Sequence, residues 1–196
     1  MLSSAHLLPE RGRHMNIEAT LYPGRPAEER SEKEMKCYDL LELLGISYLR
    51  IDHDHADTME ACREIEKVLG CHICKNLLLT NRQMTDFYLL MMPADKPFKT
   101  KNLSRQIGSA RLSFATDEQM QQLLNITPGS LSVFGLMNDT DGRVRLLMDS
   151  DLTQLDHIGC HPCVNSSTVK LDLNDLLGTL LPAMHHDLTL VDLPAE

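Results

Sequence analysis

Apolar residues recur along this chain at two spacings, and the change of spacing divides it into elements. Over residues 28–44 they fall mostly three and four apart, at Met35, Tyr38, Leu41, Leu43 and Leu44, which predicts a helix stopped by Gly45. Residues 46–51 alternate in the manner of a strand. Asp57 followed by Glu60 has the form of a capping box and opens a predicted helix that reaches about Leu69 and stops at Gly70. Two apolar runs, 73–80 and 87–92, flank Asn81-Arg82-Gln83 and predict a hairpin or two neighbouring strands. Short helices are expected near 101–107 and 117–124. Strands are expected near 131–137 and 144–149, joined by a turn over 138–142. A last strand at 168–171 leads into a helix from Asp172 to Leu181. Strands and helices in this irregular order predict one mixed α/β (α+β) domain.

The ends carry less pattern. Residues 1–14 stop at a second methionine, Met15, and read as an expression leader, with 15–32 as an N-terminal extension. The domain itself is expected over 33–181, and 182–196 as an acidic, loosely structured tail. The chain of 196 residues suffices for one sizeable core. Aromatics make up only 4%, with no Trp, so 11 Met take up part of the filling. No apolar run approaches the roughly 18 residues of a membrane-spanning helix, so no membrane partner is expected. A net charge of −9 excludes a broadly basic surface coating duplex nucleic acid and restricts any phosphate contact to a local patch. Six Cys without a secretory signal point to a reducing, cytoplasmic setting with thiols unpaired.

Four groups of residues could carry chemistry. Cys71-His72-Ile73-Cys74 and Cys160-His161-Pro162-Cys163 could together offer zinc four soft ligands. However, 85 residues separate them, and each pair abuts a predicted strand. Lys75 and Asn76 head an apolar strand, where a cation and an amide are costly unless they face a cleft; a lysine snorkelling from a strand end is the plainer alternative. Glycine-bearing loops at Thr127-Pro128-Gly129-Ser130 and Ile158-Gly159-Cys160-His161 could bring backbone N–H groups close to a ligand, or be ordinary turns. Between residues 95 and 111, Lys96, Lys99, Lys101, Arg105 and Arg111 face one carboxylate, Asp95. Such a window suits a few phosphates or a solvated helix face. His53-Asp54-His55 lacks a third metal ligand, and neither a Ser-His-Asp series nor a phosphate-binding loop is present.

Five segments in order join these groups: Cys74-Lys75-Asn76-Leu77-Leu78-Leu79, Arg111-Leu112-Ser113-Phe114-Ala115, Thr127-Pro128-Gly129-Ser130, Gly135-Leu136 with Asn138-Asp139, and Ile158-Gly159-Cys160-His161-Pro162. In this order they resemble the YbaK/ProX family, freestanding relatives of the editing domain of bacterial prolyl-tRNA synthetases, most of all its ProX branch. One departure is Val133, where the wider family often has proline after Gly-x-x-x. The resemblance implies a single editing domain with a mixed, partly barrel-like sheet flanked by helices. It implies a hydrolase that removes a mischarged amino acid from proline tRNA, most of all alanine, without cofactor, metal or covalent nucleophile. Lys75, Asn76, His161 and Gly129 are then the expected catalytic positions. Ser130, Gly159, Phe114, Lys99, Lys101, Arg105 and Arg111 are the expected substrate contacts. The partner implied is the tRNA acceptor end, with a prolyl-tRNA synthetase as a possible second. Cysteinyl-tRNA as substrate, or a zinc or thiol module built on Cys71, Cys74, Cys160 and Cys163, are the alternatives. An activated ester asks only for a positioned water and a stabilised oxyanion. A second, smaller site would remove what a proline-sized pocket cannot exclude.

Overall fold

The structure is a computed structural model and describes residues 15–56 and 58–195. After a short edge strand, β1 (Tyr22–Pro23), α1 (Glu32–Leu43) starts later than the periodicity predicts. Arg30 stays outside the helix, bound to Glu28 at 2.6 Å and to Asp52 at 2.7 Å. Cys37, Tyr38 and Leu41 form its buried stripe. β2 (Tyr48–Asp52) follows, then α2 (Met59–Leu69). Asp57, expected to cap α2, lies outside the described residues; the cap is Thr58, whose hydroxyl accepts from the Ala61 N–H at 3.1 Å. Gly70, at φ 69°, ends α2 in the left-handed conformation as expected.

The two apolar runs form β3 (His72–Ile73), β4 (Lys75–Asn81) and β5 (Phe87–Met92). Next come α3 (Thr100–Gln106), β6 (Leu112–Phe114) and α4 (Asp117–Leu124), and it is α4 that carries a full capping box, between Thr116 and Gln119. The strand expected over 131–137 does not form. Val133–Asn138 is a 3-10 turn, with Ser132 accepting from the Phe134 N–H at 3.3 Å. A Cβ on Gly135 would lie 2.6 Å from Ile126 Cδ1, so this segment coils tightly against the end of α4 and pairs with nothing.

β7 (Val144–Asp149), β8 (His157–Cys160) and β9 (Ser167–Asp172) follow. β8 replaces the loop expected at Ile158-Gly159-Cys160. The helix from Asp172 is present as α5 (Leu173–Asp175), a π turn (Leu176–Leu180) and α6 (Leu181–Ala183) in succession. The last correction concerns the tail. β10 (Leu188–Val191) pairs in parallel with β7, and Val191 and Leu193 are buried.

The strands form two mixed five-stranded sheets, ordered β1-β2-β9-β8-β3 and β10-β7-β5-β4-β6, and neither closes into a barrel. One core lies where Leu78, Leu89 and Met91 of the second sheet meet Val169 and Leu171 of the first, under α1 and the C-terminal helical rod. The outer face of the second sheet packs Leu79, Leu90 and Met92 beneath Leu103 of α3, and the outer face of the first packs Ile51 and Ile73 beneath Ile65 and Leu69 of α2. Being covered on both faces, all six residues of β5 are buried, which accounts for its unbroken apolar run. The chain passes between the sheets from β3 to β4, from β7 to β8 and from β9 to β10, and the first passage is the shortest. β3 belongs to the first, β4 to the second, and Cys74 alone stands between them.

Candidate functional site

The crossing at Cys74 opens a cavity of about 230 Å³ between the two sheets and the start of α2. Lys75 and Asn76 reach it from the first two residues of β4, His161 from just past the end of β8, and Gly129 from the loop after α4. The four expected catalytic positions, scattered over almost ninety residues, therefore line one cavity. Ala56, Met59, Ile73, Ala94 and Leu131 supply its apolar wall, with the Thr58 cap at its edge.

Each polar side chain has a distinct setting. Among the described residues Lys75 has no ion-pair partner, so its ammonium is uncommitted. The Asn76 amide folds back on Cys74, donating to its carbonyl at 3.3 Å and approaching its sulfur at 3.6 Å. His161 is buried, with Nδ1 3.1 Å from the Ser167 carbonyl and 3.2 Å from Thr168 Oγ1. Burial holds its imidazole down to about 4, against the pull of the Ser167 carbonyl bond, so the ring is neutral near pH 7. Gly129, at φ 83° after Pro128, with Ser130 N–H bonded to the Thr127 carbonyl at 3.1 Å, has the pattern of a type II turn. A side chain there would strain the backbone.

The remaining expected contacts fall elsewhere. Ser130 is buried behind the turn and outside the cavity lining. Gly159 also lies outside it, and a Cβ there would stand 2.8 Å from Ile73 Cγ1 and 3.0 Å from Leu69 Cδ2, so its smallness serves strand-to-helix packing. Phe114 is 60% exposed on edge strand β6, its ring 6.2 Å from that of Phe98 in an edge-on pair. Lys99, Lys101, Arg105 and Arg111 are exposed on and around α3. Lys96 is not part of that face. Its ammonium lies 2.9 Å from the fully buried Asp149 and 2.7 Å from Asp151, a structural pair.

Three of the four motif cysteines, Cys71, Cys74 and Cys160, lie close enough to interact, but the fourth faces away from them. Cys163 lies against Cys37, sulfur to sulfur 3.6 Å, while Cys160 pairs with Cys74. The bond to Cys74 and then burial push the Cys160 thiol well above its ordinary range, and burial pushes Cys71 up to about 12 despite the charge of Lys170. Thiols held protonated in this way are poor nucleophiles. Among the described residues no group of three or more His, Cys, Asp or Glu is arranged to hold a metal ion.

Several other clefts are larger, and two of them, of about 350 and 600 Å³, share Arg63, Glu66 and His72. Neither gathers the uncommitted cation, imidazole and glycine turn that meet in the smaller cavity. Sequence reasoning missed Met59, Cys62 and Leu131 of the wall, and also His53 and Thr168 behind His161. A signal existed only for His53, whose Asp54-His55 neighbours drew attention as metal ligands instead.

A mixed fold with this cavity at the junction of its sheets places the chain in a class that comparisons identify. Residues 53–179 match the aminoacyl-tRNA editing domain family, and the chain belongs to it. By class it is an aminoacyl-tRNA deacylase, a hydrolase of the ester that joins amino acid to tRNA. It is 35% identical over 136 residues to the prolyl-tRNA editing protein ProX of Acetoanaerobium sticklandii, covering 69% of this chain and 83% of that one. It is 29% identical over 171 residues to the prolyl-tRNA synthetase associated domain-containing protein 1 of Danio rerio, covering 86% and 92%. In fold it is similar to the crystal structure of a candidate trans-editing enzyme for prolyl-tRNA synthetase, with a TM-score of 0.60 at 16% identity over 84% of this chain and 98% of that one. No helix among the described residues is long and apolar enough to cross a membrane.

Proposed function

We propose that this protein removes a mischarged amino acid from proline tRNA in trans, that alanyl-tRNA is its principal substrate, and that it does so in the cytoplasm. The convergence of Lys75, Asn76, Gly129 and His161 on one cavity supports this reading above all else. The uncommitted Lys75 ammonium meets the phosphate-bearing 3′ end of the tRNA. The backbone around Gly129 receives the ester carbonyl or its attacking water. His161 and the apolar wall close the space around the side chain. About 230 Å³ is small beside the roughly 300–1,000 Å³ of ordinary ligand sites, which suits a methyl side chain and disfavours large ones. The exposed cations of α3 and Arg111 offer the acceptor end a local basic face on an acidic protein.

The test is hydrolysis of alanyl-, cysteinyl- and prolyl-tRNA side by side, by the parent and by Lys75→Ala. The parent clears alanyl-tRNA fastest and spares prolyl-tRNA. Lys75→Ala takes a cation from a cleft and nothing from the core, so its thermal melt matches the parent. Its rate falls a hundredfold or more, about 3 kcal/mol of transition-state stabilisation. A variant that melts normally and still clears alanyl-tRNA at the parent rate refutes the site, and faster loss of cysteinyl-tRNA reassigns the substrate.

A further inference from the structure

The hydrogen bonds behind His161 can run in only one direction, because a carbonyl stands at each end. His53 Nδ1 lies 2.8 Å from the Asp54 carbonyl oxygen, which only accepts, so Nδ1 carries the hydrogen. On a neutral ring the His53 Nε2 is then a lone pair, and Thr168 Oγ1, 2.9 Å away, must donate to it. At the other end His161 Nδ1 lies 3.1 Å from the Ser167 carbonyl oxygen and carries a hydrogen for the same reason. Thr168 Oγ1, whose own hydrogen is committed to His53, accepts from that Nδ1–H at 3.2 Å. Thr168 is fully buried and His53 nearly so, with the two imidazole rings 6.1 Å apart, so water does not easily replace any member of the series. Burial holds His53, like His161, below the ordinary histidine range and thus neutral.

We propose that Thr168, oriented by His53, is a positioning residue that fixes His161 as its Nδ1–H tautomer and so presents a bare Nε2 to the cavity. This rests on reading the cavity as the editing site. Of the other titratable groups in the cavity lining, Lys75 is a donor only, and Cys62 and Cys74 are thiols, weak as acceptors. An aminoacyl ester brings two donors, its α-ammonium and the attacking water, and a bare imidazole nitrogen gives them an acceptor. So weak a base orients such a group by hydrogen bonding and leaves its proton in place. Neither His53 nor Thr168 touches the substrate in this arrangement.

Imidazole 15N NMR of the histidine-labelled full chain reads the tautomer directly. The expected spectrum at neutral pH shows His161 with a protonated Nδ1 and an unprotonated Nε2. A hydrogen on Nε2 overturns the proposal, whatever the protein hydrolyses. Kinetics then separate positioning from packing. Thr168→Ser keeps the hydroxyl and should retain kcat within a few-fold. Thr168→Val keeps the shape and should lower kcat about tenfold with little change in KM, the size of one lost hydrogen bond. If Thr168→Val fails to fold, His53→Phe removes the acceptor that orients Thr168 while filling the ring space, and the same split is expected. Valine and serine variants of equal kcat, or a phenylalanine variant at the parent rate, overturn the positioning role. A parent inactive on every aminoacyl-tRNA, with Nδ1–H still in place, refutes the editing function alone.

Discussion

His161 stays neutral inside the fold down to about pH 4, whereas an unfolded histidine takes up its proton near 6.5. Between those values the unfolded chain binds the extra proton, so acid favours unfolding. The stability this group contributes is fully present above about pH 6.5 and is lost as pH falls toward 4. One proton over that window is worth roughly 3 kcal/mol. Denaturant melts from pH 7 to pH 4 should show the decline, and His161→Gln should flatten it in part, leaving the share of His53. Equal slopes would mean that the ring is hydrated in the folded state. At this scale much was legible. Lys75 and Asn76 stood out because polar groups at the head of an apolar strand demand a reason, and Gly129 because Pro-Gly sets a turn. Thr168 did not. A threonine inside a strand is what β propensity alone provides, and its task exists only once β2, β8 and β9 bring two histidines to it.

At the scale of elements, periodicity found the helices and the central strands, because their apolar spacing comes from facing a core. It failed where a tertiary contact decided the outcome. Residues 133–138 carry strand-like composition but coil against Ile126 and Leu124, an approach that Gly135 alone permits. β8 hid behind Gly159, whose missing side chain makes room for Ile73 and Leu69. Gly159→Ala should therefore destabilise by about 1–3 kcal/mol through overpacking, read as a lowered urea midpoint with unchanged slope. β10 hid in an acidic terminus, because a short parallel edge strand needs only a few apolar residues. Val191 and Leu193 cover the outer sheet face, and the Leu193 N–H donates to Asp149 at 3.2 Å. Ending the chain after Asp187 should cost on the order of 3–5 kcal/mol, from two buried aliphatic side chains and their strand. Unchanged thermal melting of that truncation would show that the pairing contributes nothing.

For the whole molecule, the informative contrast is between net and local charge. The chain carries −9, yet Lys99, Lys101, Arg105 and Arg111 cluster around one short helix, with the exposed Phe114 beside Arg111 in sequence. Lys96 has been withdrawn into its pair with Asp149, a distinction that composition could not draw. If the exposed cations meet phosphates, tRNA affinity falls with salt through counterion release. Replacing Lys99 and Lys101 together by Ala should weaken binding and reduce the slope of log affinity against log salt by about 1–2. An unchanged slope would assign the patch to solvent.

The passage of the chain through Cys74 bears on how such a protein can be altered. Loops are usually where insertions are tolerated, because little depends on their length. The turn at Met84, 58% exposed, is a place of that kind. The single residue between β3 and β4 is the opposite, since it keeps the ammonium of Lys75 in register with the imidazole of His161 across two separate sheets. A Gly-Ser pair inserted beside Met84 should leave hydrolysis intact. The same pair inserted after Cys74 would slide β4 against β8 and take the reaction away, even in a chain that still folds.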